Sequence, residues 1–226
     1  MLTQTAVRNA SWKKTASGTV PPAAPQPQTG PLDLMGAQMS FSRNAEIYGE
    51  GEPAEYIYRV VSGAVRTYKV LADGRRQVGG FYLPGDMFGL DPDEHAFSAE
   101  AIAESKVLVI KRSAVTALAE RDNEVARQLW NLTGRELSRV QDHILLLIKS
   151  AHERVATFLL EMAERVSAGN AVDLPMSRQD IADYLGLTIE TVSRTLTHME
   201  SLATIEVPSS RRIVLRNRAA LNRLNA

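Results

Sequence analysis

Three patterns of apolar and polar positions follow one another along the chain. Between about 40 and 112, short apolar runs alternate with turn signals; the runs are AEIYG, YIYRVV, AVRTYKVL, RQVGGFY, SAEAIAE and KVLVIK. Runs of this length and spacing predict many short β-strands packed as a small sandwich or roll. Asp73-Gly74 lies between two runs and predicts a hairpin, because Gly supplies the positive φ that the turn needs.

The second pattern is helical and starts near Ser113. We expect Ser113 to cap a short helix, and a long helix without proline to follow from about Asn123 to Lys149. Apolar and small positions along it recur at spacings of three and four, as in a coiled coil; they are Trp130, Thr133, Leu137, Val140, Ile144 and Leu147. This seam favours pairing with a second copy of the chain as a homodimer, although it could also pack on the chain's own β domain.

The third pattern begins near residue 151 and alternates helices with a hairpin. We expect a helix over about 151–166, ended by Ala168-Gly169-Asn170. Near the C-terminus, two β-type runs predict a hairpin whose turn is Pro208-Ser209-Ser210.

Two short helices between these elements, 178–185 and 189–201, carry the main functional signal. Ser177 and Thr188 stand at their N-cap positions. A helix-turn-helix needs a small residue at the crossing, a Gly in the turn and an apolar lock on the second helix; these are Ala182, Gly186 and Val192. The combination predicts DNA binding, and a purely structural helix hairpin is the alternative.

The second of these helices is expected to enter the major groove by its N-terminal end. We predict that Glu190, Ser193 and Arg194 read bases, since Arg pairs with guanine and Glu accepts from an amino group. Glu190 and Arg194 are also four residues apart, so a surface ion pair is the alternative. The predicted phosphate contacts are Ser177, Arg178, Gln179, Thr188 and Thr191.

Composition narrows the class of protein. The 226 residues carry 26 basic and 26 acidic side chains, so the net charge does not indicate any class of partner. The last 21 residues, however, contain five arginines and a single acidic residue, Glu206, which fits contact with phosphate. The absence of cysteine excludes disulfides, thiolate zinc sites and cysteine-ligated iron–sulfur clusters. With no secretory signal and no apolar run of membrane-spanning length, we expect a cytoplasmic protein.

The patterns divide the chain into four parts. Residues 1–33 are expected to be a flexible leader, since 15–31 hold five of the ten prolines and almost no bulky apolar side chain. We assign 34–120 to a β-roll, 121–150 to a dimerisation helix, and 151–226 to a winged helix-turn-helix. The fold class is therefore α+β.

Neither a metal site nor an enzyme is expected. The four histidines have no i,i+4 spacing and no clustered carboxylates. The carboxylates of Asp86, Asp91, Asp93 and Glu94 lie in a turn-rich loop with no nucleophile suggested beside them.

Three motifs together resemble a known superfamily. Gly51-Glu52-Pro53-Ala54-Glu55, the run from Leu83 to Gly89 and the run from Leu185 to Arg194 are similar to the cyclic-AMP receptor / fumarate-nitrate reduction regulator (CRP/FNR) superfamily, FixK-type branch. The resemblance implies a cyclic-nucleotide-binding-like double-stranded β-roll and a transcription activator that reads inverted repeats of TTGAT. It also implies contact with RNA polymerase, for which Arg75 and Arg76 are candidates.

The chain departs from the superfamily at its sensors. Leu90 and Phe97-Ser98 stand where cyclic-nucleotide binders place a Glu and an Arg-Ser/Thr pair, so we expect no response to cyclic AMP. An iron–sulfur sensor would need cysteines. The resemblance therefore implies no cofactor and targets in microaerobic respiration, denitrification and nitrogen fixation. A regulator gated by another small molecule, and a scaffold module that no longer binds DNA, are the alternatives.

Overall fold

The structure is a computed structural model that describes residues 35–166 and 169–225. The predicted leader, 1–33, lies outside the described residues. No helix in the described part is long and apolar enough to cross a membrane.

The N-terminal half is a β-roll, as predicted. Its strands are β1 Ala37–Phe41, β2 Glu46–Tyr48, β3 Tyr56–Ser62, β4 Val65–Val70, β5 Arg76–Tyr82, β6 Met87–Phe88, β7 Ser98–Ala101 and β8 Ser105–Lys111. They form two four-stranded sheets, β1-β8-β3-β6 and β2-β7-β4-β5, whose paired strands are antiparallel. The inward side chains of Val60, Val65, Phe88 and Val107 are buried and form part of the roll's core.

The predicted hairpin at Asp73-Gly74 joins β4 to β5. Gly74 has φ +82°, which the turn requires of a residue without a Cβ. The Asp73 carboxylate accepts from the Arg75 backbone amide at 3.0 Å, which closes the turn.

Three helices follow the roll: α1 Arg112–Ala119, α2 Asn123–Leu147 and α3 Ala151–Val166. The predicted cap at Ser113 is wrong. Strand β8 runs to Lys111 and the helix begins at the next residue with no side-chain cap. The Arg112 guanidinium instead donates to the carbonyls of Ala54 and Gly89, at 2.6 and 2.9 Å, so tertiary contacts fix this helix start.

The C-terminal domain contains the two predicted short helices and a small sheet. Its elements are β9 Ala171–Asp173, α4 Arg178–Leu185, α5 Ile189–Ser201, β10 Ile205–Ser209, β11 Arg212–Leu215 and α6 Arg218–Asn225. The three strands pair in the order β10-β11-β9. Neither β9 nor α6 was predicted.

The C-terminal hairpin is confirmed, but its turn lies later than predicted. Ser209 pairs with Arg212, so the connection is Ser210-Arg211 and not Pro208-Ser209-Ser210. The register is irregular between Glu206 and Ser209. Pro208 lies inside this irregularity, which is a place where a missing backbone N–H is tolerated.

The roll and the C-terminal domain share one hydrophobic core. Phe81 of β5 lies 6.2 Å from Phe158 of α3 and 5.2 Å from Tyr184 of α4, measured between ring centroids. Phe81 and Phe158 are each at most 2% exposed. The shared core places α4 directly against the roll.

Candidate nucleic-acid interface

The start of α4 is fixed by a capping box. The Ser177 hydroxyl accepts from the backbone amide of Asp180 at 3.1 Å, and the Asp180 carboxylate accepts from the Ser177 amide at 2.9 Å. Ser177 thus has a structural role in addition to the predicted phosphate contact.

The turn after α4 has the predicted left-handed glycine. Gly186 has φ +61° and ψ +39°, and its amide donates to the Ala182 carbonyl. Thr188 then caps α5, its hydroxyl accepting from the Thr191 amide at 3.2 Å. The predicted bounds of both helices, 178–185 and 189–201, agree with the structure.

Packing of α5 leaves two of the three predicted base-reading residues exposed, whereas Ser193 is half-buried. Its inner face buries Val192, Leu196 and Met199 against the C-terminal core, and Ala182 at the crossing is fully buried. Glu190 and Arg194 are exposed on the other face. The helix therefore presents polar side chains at its N-terminal end, as a recognition helix must.

Glu190 is an ionised acceptor at neutral pH. The pKa of its carboxyl is lowered by its own backbone amide at the open helix start, then by the Thr188 hydroxyl and the charge of Arg194. Among the described residues, no ion pair joins Glu190 to Arg194, and the contacts of the Glu190 carboxylate are with its own backbone amide and the Thr188 hydroxyl.

Arg178 lies at the first position of α4 and reaches across to α5. Its Nη1 donates weakly to the Ser193 hydroxyl at 3.4 Å, and its buried Nε has no hydrogen-bond partner within the described part of the chain. The Nε is buried, so a phosphate would have to be met by the partly exposed remainder of the guanidinium, which lies at the N-terminus of α4.

The other predicted phosphate contacts are already engaged with neighbours. The Gln179 amide donates to Asp183 at 2.6 Å, and the hydroxyls of Thr188 and Thr191 lie 3.1 Å apart. They surround the same exposed corner between α4 and α5.

Sequence reasoning missed Arg154, which braces the turn. Its Nη1 donates to the Leu185 carbonyl at the end of α4, and its Nε to the Lys149 carbonyl, each at 2.8 Å. No local pattern marks this residue, because its partner Leu185 is 31 residues away.

The two arginines of the β4–β5 hairpin have different surroundings. Arg75 is exposed and pairs with Asp73 at 2.7 Å. Arg76 instead turns towards α4 and forms ion pairs with Asp180 and Asp183, each at 2.7 Å.

The predicted dimer seam on α2 is exposed in the single chain. Trp130, Leu137, Val140 and Ile144 are 80%, 59%, 49% and 59% exposed; Thr133 is also exposed, and Leu147 is half-buried. The helix packs on the roll through Leu129 and Leu132, and four of the seam residues also line a cavity against the roll; they are Thr133, Leu137, Val140 and Leu147. The exposed side chains fit pairing with a second copy, and packing of part of the seam on the chain's own β domain stays the alternative.

A cavity of about 520 Å³ lies between the roll and α2. Leu90 and Phe97 line it, and the Ser98 hydroxyl accepts from the Glu50 amide at 3.0 Å. Two carboxylates, those of Asp91 and Glu136, line the cavity. No lysine or arginine among the described residues lines it. The described residues also contain no cluster of three or more His, Asp or Glu side chains that could hold a metal.

Two family models match the two halves of the chain. A cyclic nucleotide-binding domain matches residues 38–122, and a Crp-like helix-turn-helix domain matches residues 153–224. These ranges agree with the β-roll and with the domain that carries α4 and α5.

Individual relatives match nearly the whole chain. The nitrogen fixation regulation protein FixK of Azorhizobium caulinodans is 49% identical over 222 residues, covering 95% of this chain and 89% of the relative. FixK of Rhizobium meliloti is 41% identical and covers 86% and 91%. Among solved structures, FixK2 from Bradyrhizobium japonicum has a TM-score of 0.82 and 52% identity, covering 84% of this chain and 98% of that one.

Proposed function

Since this chain belongs to the FixK branch of the CRP/FNR family, we propose that it is a homodimeric activator that binds a TTGAT-type inverted repeat and recruits RNA polymerase. It is a FixK-type transcription regulator with a helix-turn-helix DNA-binding domain, and not an enzyme. Its expected targets are genes of nitrogen fixation and of microaerobic or anaerobic metabolism.

The observation that carries the proposal is the exposed corner between α4 and α5. Glu190 and Arg194 face outward there without an ion pair between them, and the half-buried Arg178 lies nearby at the N-terminus of α4. Arg194 would pair with guanine, Glu190 would accept from a cytosine or adenine amino group, and Ser193 would contact a thymine methyl or a base edge. Arg178 would hold a phosphate and set the register.

A dimer would present two such corners. Pairing of the exposed seam on α2 removes its apolar side chains from water and relates two copies by a two-fold axis. Two recognition helices about 34 Å apart would then read half-sites one helical turn apart, which matches an inverted repeat.

The cavity beside α2 supports activity without a cyclic nucleotide. A phosphate placed there would face the carboxylates of Asp91 and Glu136 and no guanidinium or ammonium of the described residues. Its charge would be poorly compensated. We therefore propose that DNA binding needs neither cyclic AMP nor an iron–sulfur cluster.

A regulator gated by another small molecule is the second candidate. The same cavity has aromatic and aliphatic walls, including Tyr48, Phe88 and Val78, which suit an uncharged apolar compound. A rise in the melting temperature of the full chain with such a compound, together with tighter DNA binding, would favour this candidate.

The proposed function is tested by fluorescence anisotropy of the full chain without ligand, at about 150 mM salt, on a labelled TTGAT inverted repeat and a scrambled duplex. We expect selective binding of two chains per duplex. Arg194→Ala should cost about 1–3 kcal/mol on the inverted repeat and relax discrimination at the guanine, whereas Arg178→Ala should weaken both duplexes alike. Equal losses on both duplexes for both variants would refute these roles.

Polymerase contact is tested separately from DNA binding. Arg75 is the exposed arginine of the hairpin, with 78% of its side chain accessible, whereas Arg76 has 26%. We expect Arg75→Ala to leave the affinity for the inverted repeat unchanged and to lower transcription from a promoter that carries it. Unchanged transcription would remove the hairpin from the polymerase interface.

A further inference from the structure

A cluster of charged side chains connects the β-roll to α4. Arg66 of β4 donates from Nη1 to Asp180 Oδ1 and from Nη2 to Glu100 at 2.9 Å. Arg76 of β5 donates from Nη2 to the same oxygen of Asp180 and from Nε to Asp183, each at 2.7 Å. We call Arg66, Arg76, Asp180 and Asp183 the interdomain clamp.

The centre of the clamp is buried. Arg66 is 8% exposed and Asp180 is 4% exposed, so little solvent screens their attraction. Burial by itself would raise the pKa of the Asp180 carboxyl, but bonds from the Ser177 hydroxyl and amide, with the charges of Arg66 and Arg76, lower it below its ordinary value. The Asp180 carboxylate is therefore ionised at neutral pH and forms ion pairs with both arginines.

Asp180 connects the clamp to the DNA-binding end of α4. Its Oδ2 accepts from the Ser177 amide at 2.9 Å in the capping box, while its Oδ1 accepts from both arginines. One carboxylate thus fixes the first turn of α4 and joins that turn to the roll. Arg178 and Gln179 lie in the same turn.

The clamp does not cover the side of α5 that carries the predicted base-reading residues. The roll packs on α4 through β5, whereas α5 packs on α3, α4 and β10. Glu190 and Arg194 remain exposed in this arrangement. The clamped arrangement is therefore compatible with a duplex lying against α5.

The arginines also change the charge that a duplex would meet. Without them, Asp180 and Asp183 would present two negative charges beside the predicted phosphate contacts of α4. Arg66 and Arg76 offset these charges from the side of the roll. Loss of either arginine would therefore disturb both the placement of α4 and its electrostatics.

We propose that Arg66 and Arg76 are positioning residues for DNA recognition: through Asp180 and Asp183 they hold α4, and α5 with it, in the placement that binds the duplex. This inference rests on the proposed function. Neither arginine needs to contact DNA, since each acts through the carboxylates of α4. The clamp is formed by the chain itself and requires no ligand.

The test is a double-mutant cycle on Arg76 and Asp183, which lie outside the capping box and at the less buried end of the clamp. We compare Arg76→Gln, Asp183→Asn and the double variant in affinity for the inverted repeat and in melting temperature; Arg75→Gln, at the exposed neighbour, is the matched control. Arg76→Gln should weaken specific binding about five- to thirtyfold, and Asp183→Asn less, because removing its charge also lowers the repulsion of the duplex. The double variant should bind no more weakly than Arg76→Gln. The control should bind like the parent.

A purely structural role predicts a different pattern. The variants would then melt earlier but, while still folded at the assay temperature, bind DNA like the parent chain. That result, or independent losses that multiply in the double variant, would overturn the proposal.

A second readout measures the placement of α4 and α5 directly. The chain has no cysteine, so spin labels can be attached at Val70→Cys on the roll and Ser201→Cys at the end of α5, both exposed sites. Labelled chain is mixed with excess unlabelled chain, so that each dimer carries one labelled copy. We expect one narrow distance distribution for the parent and a broader one for Arg76→Gln.

The two readouts separate the inference from the proposed function. If the parent chain fails to bind the inverted repeat, the proposed function fails, and the distance distribution still decides whether the clamp fixes α4. An unchanged distribution in Arg76→Gln would overturn the inference whatever the parent binds.

Discussion

Replacing the turn glycine, Gly186→Ala, tests the local geometry on which the DNA-binding domain depends. Gly186 has φ +61°, where a residue with a Cβ is unfavourable by roughly 1–2 kcal/mol. An added Cβ would lie 3.5 Å from Arg154 Nη1 and 3.5 Å from Leu147 Cδ2, which is ordinary contact. Steric overlap therefore adds nothing, and the cost is conformational.

The expected loss follows from this strain. Alanine also restricts the unfolded chain, which offsets part of the cost by about 0.4–1 kcal/mol. We expect a net loss near 1 kcal/mol, or a melting temperature lower by about 2–4 °C for a chain of this size. Because the turn sets the angle between α4 and α5, affinity for the inverted repeat should also fall.

Gly186→Asn is the matched control, since Asn adds a larger side chain but tolerates the left-handed region better. Urea unfolding followed by circular dichroism, at one fixed protein concentration because association contributes to stability, should rank the parent above Asn and Asn above Ala. If Asn costs more than Ala, side-chain contact with Arg154 or Leu147 is the cause and not backbone strain. If Ala costs nothing, the turn does not require the left-handed conformation.

Three further outcomes are expected. Ile144→Glu places a charge on the exposed seam and should convert the dimer to monomer in size-exclusion chromatography with light scattering, whereas Ser138→Glu, off the seam, should not. Burial lowers the pKa of His143, although the hydrogen bond to the Tyr184 carbonyl and the charge of Glu161 act in the opposite direction. Below about pH 6.5 the unfolded state therefore binds more protons than the folded state. The free energy of unfolding should decrease as the pH is lowered from about 6.5, until the pH is below the folded-state pKa. His143→Gln should flatten this part of the pH dependence of the unfolding midpoint, and a parent with no such slope would contradict the assignment. Ser105→Ala should cost about 1–3 kcal/mol in urea unfolding, because the buried hydroxyl accepts from the Ala64 amide at 3.0 Å and has the carbonyls of Ala103 and Ala64 as acceptors for its one hydrogen; a loss below about 0.5 kcal/mol would show that the site adapts.

Local signals were sufficient to predict the helix-turn-helix from the sequence. Ser177 and Thr188 form caps with their own helices, and Gly186 adopts its conformation within one turn, so neighbouring residues determine these boundaries. The wrong cap at Ser113 has the opposite cause, since Arg112 is held by carbonyls 58 and 23 residues away. The misplaced turn near Pro208 reflects an irregular strand register, which depends on the partner strand.

Elements and contacts that depend on distant residues could not be predicted. Strand β9 has three residues and exists because it pairs with β11. Helix α6 packs on α3 through the fully buried Leu221. The Arg66–Asp180 pair joins residues 114 apart, and charged residues in such pairs follow no local period.

Strand β5 connects the cavity beside α2 to the DNA-binding domain. Gln77, Val78 and Gly79 line the cavity, while Arg76 at the start of the same strand holds Asp180 and Asp183. Gln77 also donates to the Tyr184 carbonyl of α4, at 3.4 Å.

A compound in the cavity can change DNA binding only by its different affinity for two placements of α4. If the clamp keeps α4 in one placement, such a compound can change the populations of the two placements only slightly in the parent chain. In Arg76→Gln, where both placements are populated, the change should be larger. An apolar compound that changes DNA affinity in the variant and not in the parent would therefore identify the clamp as the feature that fixes α4 when no ligand is bound.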